Sequence, residues 1–116
     1  MRTEDEGKLL RIYVDETAEH GGKLLYESIV ELCRDRGMAG ATVLRGVQGY
    51  GADLRIHKAG VLRLSADLPM VIEIADGPER IDALLPALEG MILNGLITVE
   101  KIRMIRLTPG DQRPLE

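Results

Sequence analysis

A stretch of glycine and basic residues in the middle of the chain has the types and spacing suited to binding chemistry. Residues 43–69 read VLRGVQGYGADLRIHKAGVLRLSADLP and contain four glycines, one tyrosine and one histidine. Between positions 45 and 63, four basic residues face one acid, a local charge of +3 in a chain of net charge −4. Glycine lets backbone N–H groups approach a phosphate closely. The pattern favours a small anionic ligand over a nucleic-acid duplex, which needs a broader basic surface.

Taken alone, the same residues also fit an exposed loop whose charges are solvated. The segment at about 47–66 is too long for a tight hairpin, and loops above about 12–15 residues are commonly functional. Tyr50 is suited to stacking on a base or to packing at a strand end. His57 is suited to contacting a phosphate or to remaining in solvent. Arg55 and Lys58 are suited to docking a partner protein or a phosphate, or to solvation.

The residues that usually bind metals or act as nucleophiles are scattered. His20, His57 and Cys33 occur singly, without the paired spacing of zinc or copper sites, so no metal site is predicted. Ser28 and Ser65 have no nucleophile motif around them, so no catalytic residue is predicted.

One enzymatic alternative comes from the turn RGVQG at 45–49, which resembles the phosphate-cradling turn of acylphosphatases. In that family the turn follows the first strand, and a catalytic asparagine orients water. Here the turn follows the second predicted strand, and the only asparagine, Asn94, ends the second predicted helix. An acylphosphatase-like hydrolase stays an alternative that acyl-phosphate breakdown would test.

The elements that position these residues follow the order β-α-β-β-α-β. Apolar alternation predicts four strands, over residues 8–14, 41–47, 68–75 and 97–107. Spacing of three and four predicts helices over residues 23–36 and 78–94, the second entered through Asp76 as its cap. Two right-handed β-α-β units give an α+β ferredoxin-like sandwich, an antiparallel four-stranded sheet with both helices on one face.

The other sheet face, here called the outer face, is expected to mix apolar and charged side chains. Period-two counting assigns to it Leu9, Arg11, Tyr13, Val71, Glu73, Lys101 and Arg103. This mixture fits an interface between copies, and closed cyclic symmetry is the usual way to bury such a face. Arg103 in that position needs an anionic partner, either a ligand or Glu73 across the sheet.

Length and composition indicate one soluble domain of 116 residues. We expect a flexible N-terminus over 1–7, a folded domain over 8–107 with its long loop at about 47–66, and a flexible tail over 108–116. A single cysteine fits a reducing compartment, and no run approaches the ~20 apolar residues of a membrane span. The expected location is cytoplasmic, without membrane insertion.

Several short motifs together resemble the DUF190 family of PII-like proteins. They are GATVLRG at 40–46, GYG at 49–51, RIH at 55–57, and DLP at 67–69 followed by VIEI at 71–74. The resemblance runs from about Lys8 to Leu107. It implies a non-enzymatic PII-like homotrimer that binds an adenine nucleotide such as AMP, ADP or ATP in clefts between subunits and signals through the long loop. It also implies a regulatory link to a membrane channel, since genes of this family often lie beside those of fluoride-exporting channels.

The resemblance matches Arg45, Gly46, Gln48 and Gly49 to the base of the PII signalling loop, and Arg103 or Arg106 to the phosphate-binding arginines of the last strand. With Tyr50 and Gly51 of the glycine-rich segment, these residues are the predicted nucleotide-binding set. Arg55, His57 and Lys58 are the predicted partner-binding residues of the loop. The second phosphate loop of PII proteins is missing, because the turn NGLI at 94–97 is much shorter. A smaller ligand, such as a nucleoside monophosphate, fits that shortening. A metal- or small-metabolite-binding oligomer of the same fold is the alternative.

Overall fold

The computed structural model describes residues 1–50, the backbone of residues 57–58, and residues 68–109. The main elements are β1 (Arg2–Asp15), α1 (Leu25–Asp35), β4 (Thr42–Arg45), β7 (Pro69–Asp76), α2 (Pro78–Met91) and β8 (Leu96–Leu107). Two short hairpins complete them: β2 (Glu19–His20) with β3 (Lys23–Leu24), and β5 (Gln48–Gly49) with β6 (His57–Lys58). The long strands form one antiparallel sheet in the order β4-β7-β1-β8, which confirms the ferredoxin-like βαββαβ prediction.

Both helices pack on the same face of the sheet, the inner face. Alternate residues of β1 and β7 point into this layer, and they meet the apolar stripes of the two helices in one core: Leu10, Ile12, Val14, Met70, Ile72, Ile74, Leu25, Ile29, Cys33, Ile81, Leu84 and Leu88. Burying an aliphatic side chain of this kind stabilises by about 1.5–3 kcal/mol before conformational entropy is counted. The fully buried core residues are all non-aromatic; the sequence has neither Phe nor Trp, and Tyr26 packs against the core while only partly buried.

The N-terminus differs from the prediction of a flexible segment over residues 1–7. Strand β1 begins at Arg2, and its first half pairs with β8 in one continuous register from Arg2 opposite Leu107 to Tyr13 opposite Leu96. Residues 2–6 are all polar and exposed, so they carry none of the apolar alternation by which a strand is recognised. Here the backbone pairing with β8 makes the strand.

Gly7 allows a close crossing within this ribbon of β1 and β8. A Cβ atom at position 7 would lie 2.6 Å from the Sδ atom of Met104. The missing side chain therefore gives Met104 room to lie across β1.

The first helix begins two residues later than predicted, at Leu25. Lys23 and Leu24 instead pair with Glu19 and His20 across a turn of two glycines, Gly21 and Gly22, which have φ of +59° and +81°. A positive φ favours glycine, so this turn removes the first predicted helical residues from α1.

Candidate functional site

The strand register decides which side chains share the outer face. Its members are Thr3, Asp5, Gly7, Leu9, Arg11 and Tyr13 of β1, Thr42 and Leu44 of β4, Val71, Glu73 and Ala75 of β7, and Leu96, Thr98, Glu100, Ile102, Met104 and Arg106 of β8. Lys101 and Arg103 lie opposite Lys8 and Glu6, on the inner face, so their predicted placement on the outer face was wrong. Alternation within one strand cannot tell which face is which, because a shift of one residue exchanges the two faces.

An apolar row crosses the outer face at one end of the sheet. Leu44 lies opposite Val71, which lies opposite Tyr13, which lies opposite Leu96. Within the single chain, 49% of Leu44 and 58% of Leu96 are exposed. Large apolar side chains lined up across four strands and left in solvent are characteristic of a surface that another protein covers.

The middle of the outer face carries an ion triad centred on Arg11. Its Nε donates to Glu73 Oε2 at 2.8 Å, and its Nη1 donates to Glu100 Oε1 at 2.8 Å. The hydrogen bond to Glu73 is the largest influence that raises the pKa of Arg11 above its ordinary value. The predicted pairing of a strand arginine with Glu73 therefore exists, but Arg11 makes it in place of Arg103.

Arg45 ends β4 and pairs with Glu16, which follows β1. Arg45 Nε lies 2.9 Å from Glu16 Oε2, and Arg45 Nη2 donates to Glu16 Oε1 at 3.0 Å. Two parallel contacts of this kind are the geometry in which arginine also binds phosphate. The guanidinium side chain is 53% exposed, so its remaining edge faces solvent.

The glycines that follow Arg45 lie against Pro69. The backbone N–H of Gly46 donates to the carbonyl of Pro69 at 2.7 Å. A Cβ atom would lie 2.7 Å from Pro69 Cγ at position 46 and 3.0 Å from it at position 49. Glycine is thus required here by contact within the chain, before any ligand is considered.

The remaining residues of the predicted set fall into two classes. Gln48 and Tyr50 are exposed next to the glycines, and the backbone of Gln48–Gly49 pairs with that of His57–Lys58. Gly51 and Arg55 lie outside the described residues, and so do the side chains of His57 and Lys58.

Arg103 and Arg106 lie on opposite faces of β8. Arg103 Nε donates to Glu4 Oε2 at 2.8 Å on the inner side. Arg106 belongs to the outer face, and its Nη2 lies 4.0 Å from Asp76 Oδ1, beyond direct hydrogen-bond distance. By register Arg106 shares a face with the apolar row and the ion triad, but its side chain extends toward Asp76, which lies opposite Lys8 on the inner face.

The structure does not bring Arg106 and the turn after Arg45 together within one chain. Arg106 reaches Asp76, the last residue of β7, whereas Arg45 pairs with Met70 near the start of that strand. Six residues of strand separate these two points of β7, roughly 20 Å. The two predicted halves of the ligand site therefore occupy opposite ends of one sheet.

A basic hollow of about 480 Å³ lies on the inner side, beside the start of α2. It is lined by Glu6, Gly7, Lys8, Pro78, Lys101, Ile102 and Arg103. Lys8 Nζ donates to Asp82 Oδ1 at 2.8 Å. Sequence reasoning missed Lys8 and Lys101 as neighbours, because only the register places them opposite each other.

Asp76 is the buried acid among the described residues. Its carboxylate links the loop before β4 to the start of α2. Its Oδ2 accepts the Ala39 N–H at 2.9 Å and Arg80 Nε at 3.2 Å, and its Oδ1 accepts the Gly77 N–H at 2.7 Å. The residue in the cap position is Gly77, so the predicted cap was displaced by one residue.

These contacts set the charge state of Asp76. Burial by itself would raise the pKa of this carboxyl, but the hydrogen bonds from Ala39, Gly77 and Arg80 outweigh it and hold the pKa below its ordinary value. The carboxylate therefore stays ionised at neutral pH and ties the turn before β4 to the start of α2.

Within residues 1–50 and 68–109, no group of three His, Cys, Asp or Glu side chains is placed to hold a metal ion. Neither helix of the described chain has the length and apolar composition that a membrane crossing requires. Cys33 is buried, and burial raises the pKa of its thiol.

Comparison with known proteins gives relatives over nearly the whole chain. A UPF0166 protein of Aquifex aeolicus is 41% identical over 100 residues, 86% of this chain and 94% of that protein. A UPF0166 protein of Methanocaldococcus jannaschii is 38% identical over 95 residues, 81% of this chain and 87% of that protein.

A solved structure shares the fold at low sequence identity. It is CPII of Thiomonas intermedia K12, a PII-like protein bound to ADP and bicarbonate. The superposition has a TM-score of 0.57 at 19% identity and covers 88% of this chain and 91% of that chain.

The family model DUF190, described as "Uncharacterized ACR, COG1993", matches residues 7–104. The match includes β4, β7 and both helices completely, and most of β1 and β8. The chain therefore belongs to the DUF190 family and has the PII-like form of the ferredoxin-like fold.

Proposed function

We propose that this protein is a non-enzymatic, trimeric regulator that binds an adenine nucleotide at the junctions between its subunits. The observation that carries the proposal is the separation of the two predicted halves of the site at opposite ends of one sheet. Arg45 and the glycine turn lie at one end, and Arg106 lies at the other. A second copy of the chain supplies the missing half to each.

The chemistry of the outer face supports assembly through it. The apolar row gives contact area, and the Glu73 carboxylate is already paired with Arg11 before any copy approaches. A charge that is paired beforehand costs less to bury than an isolated one. Cyclic symmetry lets each copy offer one part of this face to one neighbour and another part to the next.

The ligand class rests on the site residues and on the related fold. Arg45 and Arg106 are suited to phosphate, and Tyr50 is 66% exposed beside the glycine turn, where a base can stack on it. The CPII structure holds ADP and bicarbonate. The connection between α2 and β8 consists only of residues 92–95, which favours a mono- or diphosphate over a triphosphate.

The proposed signalling contact with a partner protein is made through residues 47–66, which directly follow the predicted ligand residues Arg45 and Gly46. Gly46 and Pro69 bond across the base of this segment, so a ligand at Arg45 acts directly beside it. The resemblance to DUF190 makes a fluoride-exporting channel the first partner to test.

Two measurements on the purified protein test the proposal. Native mass spectrometry should give a mass three times 12.8 kDa. Titration calorimetry with AMP, ADP, ATP and cyclic nucleotides should give one binding event per subunit for at least one of them. Intact trimers that bind none would contradict the ligand part, and a monomer in solution would contradict the whole proposal.

A further inference from the structure

Glu16 contacts both flanks of the central segment. Its carboxylate holds Arg45, which precedes residues 46–67, and its backbone N–H donates to the carbonyl of Leu68 at 2.9 Å, which follows them. The residue is therefore placed to register what happens at Arg45.

The contact with Arg45 uses the edge of the guanidinium that suits a phosphate. Both carboxylate oxygens of Glu16 meet the Nε and Nη2 atoms side by side, at 2.9 and 3.0 Å. A phosphate monoester carries a charge of about −1.5 to −2 at neutral pH and offers the same pair of oxygens. The Glu16 carboxylate offers the same two oxygens with a charge of only −1, so it binds this edge of Arg45 more weakly than a phosphate would.

The pair is also accessible to a competitor. The Arg45 side chain is 53% exposed and the Glu16 side chain 23%. An ion pair with this much contact with water is weak, because solvent screens it. A more highly charged anion can replace the carboxylate without first unfolding a buried cluster.

We propose that Glu16 is a displaceable internal competitor for Arg45, so that the ligand phosphate and the Glu16 carboxylate exclude each other at this guanidinium. The inference rests on the proposed function for the identity of the ligand. It adds that the chain itself opposes ligand binding, so that competition from Glu16 lowers the affinity for the ligand. Displacement releases the side chain of Glu16, whose backbone is bonded to Leu68. Occupancy of Arg45 is thereby communicated to both flanks of residues 46–67.

The test is the affinity of Glu16→Gln for ADP, measured by calorimetry on the intact trimer. Glutamine keeps the size of the side chain but removes the competing charge, so the dissociation constant should fall roughly threefold to tenfold. Glu19→Gln is the matched control, because it removes the same charge from an exposed residue that does not contact Arg45. Its dissociation constant should stay within about twofold of the parent value.

Three outcomes overturn the inference. The first is an unchanged affinity of Glu16→Gln. The second is a lower affinity of Glu16→Gln, which means that Glu16 orients Arg45 for the ligand. The third is the same gain in affinity for Glu19→Gln, which means that only overall charge matters. Combining Glu16→Gln with Arg45→Gln should abolish the gain, because the competition requires Arg45. Glu16→Asp, which withdraws the carboxylate by one methylene, gives a second variant if Glu16→Gln folds poorly, and it should also bind more tightly.

A readout independent of nucleotide separates this inference from the proposed function. The Arg45 Nε–H signal in the NMR spectrum can be followed during titration with inorganic pyrophosphate. Glu16→Gln should reach half-saturation at a severalfold lower pyrophosphate concentration than the parent protein. If no nucleotide binds while this shift is found, the proposed function fails and the competition stands. An unchanged midpoint overturns the competition by itself.

Discussion

The two faces of the central sheet are built from the same strands but have different chemistry. Along β7, Met70, Ile72 and Ile74 are buried on the inner face, whereas Val71 and Glu73 on the outer face are only half-buried. The inner face is closed by helices of the same chain. The outer face combines an apolar row with an ion triad, a mixture that is neither a core nor a solvated surface. The difference indicates that the inner face serves folding and that the outer face serves assembly.

The largest expected effect tests the folding half of this comparison. Ile72→Ala leaves a cavity in the core and should reduce the free energy of unfolding by about 2–5 kcal/mol. Val71→Ala, one residue away on the outer face, should cost about 1 kcal/mol or less. Urea unfolding at one fixed protein concentration measures both. Equal losses would contradict the division between the faces.

The next effect tests the assembly half. Leu96→Glu places a charge in the apolar row, and burying that charge between copies is costly, so the trimer should dissociate while the fold remains. Ile105→Glu is the control, because Ile105 lies on the same strand, is 48% exposed, and belongs to the inner face. Native mass spectrometry and circular dichroism distinguish dissociation from unfolding. A trimer that tolerates Leu96→Glu would remove this row from the interface.

A smaller effect separates the two arginines of β8. Arg106→Ala should weaken nucleotide binding by about 1–3 kcal/mol, because a charged hydrogen bond to phosphate is lost. Arg103→Ala should change the affinity little, since Arg103 is already paired with Glu4 within the chain. Calorimetry on the two variants decides. The reverse ranking would place the ligand on the inner side, at the hollow beside α2.

The smallest effect concerns pH and the buried Asp76. Its pKa is lower in the folded chain than in the unfolded chain, so its stabilisation is present above about pH 4 and is lost as the pH falls through the folded pKa. Asp76→Asn should therefore lower stability by about 1 kcal/mol at pH 7 and flatten its decline below about pH 4. Urea unfolding at a series of pH values measures this. A decline as steep as that of the parent protein would assign acid sensitivity to other groups.

The fold was predictable because apolar periodicity marks every element that builds the core. Ile72 and Leu84, for example, belong to patterns that only a strand and a helix explain. Residues 2–6 carry no such pattern, and their pairing with β8 depends on a partner strand about a hundred positions away. Sequence reasoning could not find this strand for that reason.

The candidate site was harder to predict, because its details depend on register and on close packing. Arg103 was assigned to the outer face by counting along β8, and only the pairing with Glu6 corrects it. Gly46 fits a phosphate turn in the sequence, yet its immediate neighbour in the structure is Pro69. No sequence pattern pointed to a role for Glu16, since an isolated acidic residue after a strand is common.

The central claim is that one ligand site is completed by two copies of the chain, and mixed trimers test it directly. In pure form, Arg45→Ala and Arg106→Ala should each weaken ADP binding by about 1–3 kcal/mol. Subunits of the two variants, unfolded together and refolded at equal amounts, should regain sites in which Arg45 of one copy meets Arg106 of another. Random assortment of the two kinds of subunit in a cyclic trimer predicts about a quarter of the original number of binding sites. Mixed trimers that are intact by native mass spectrometry and regain no binding would contradict the account.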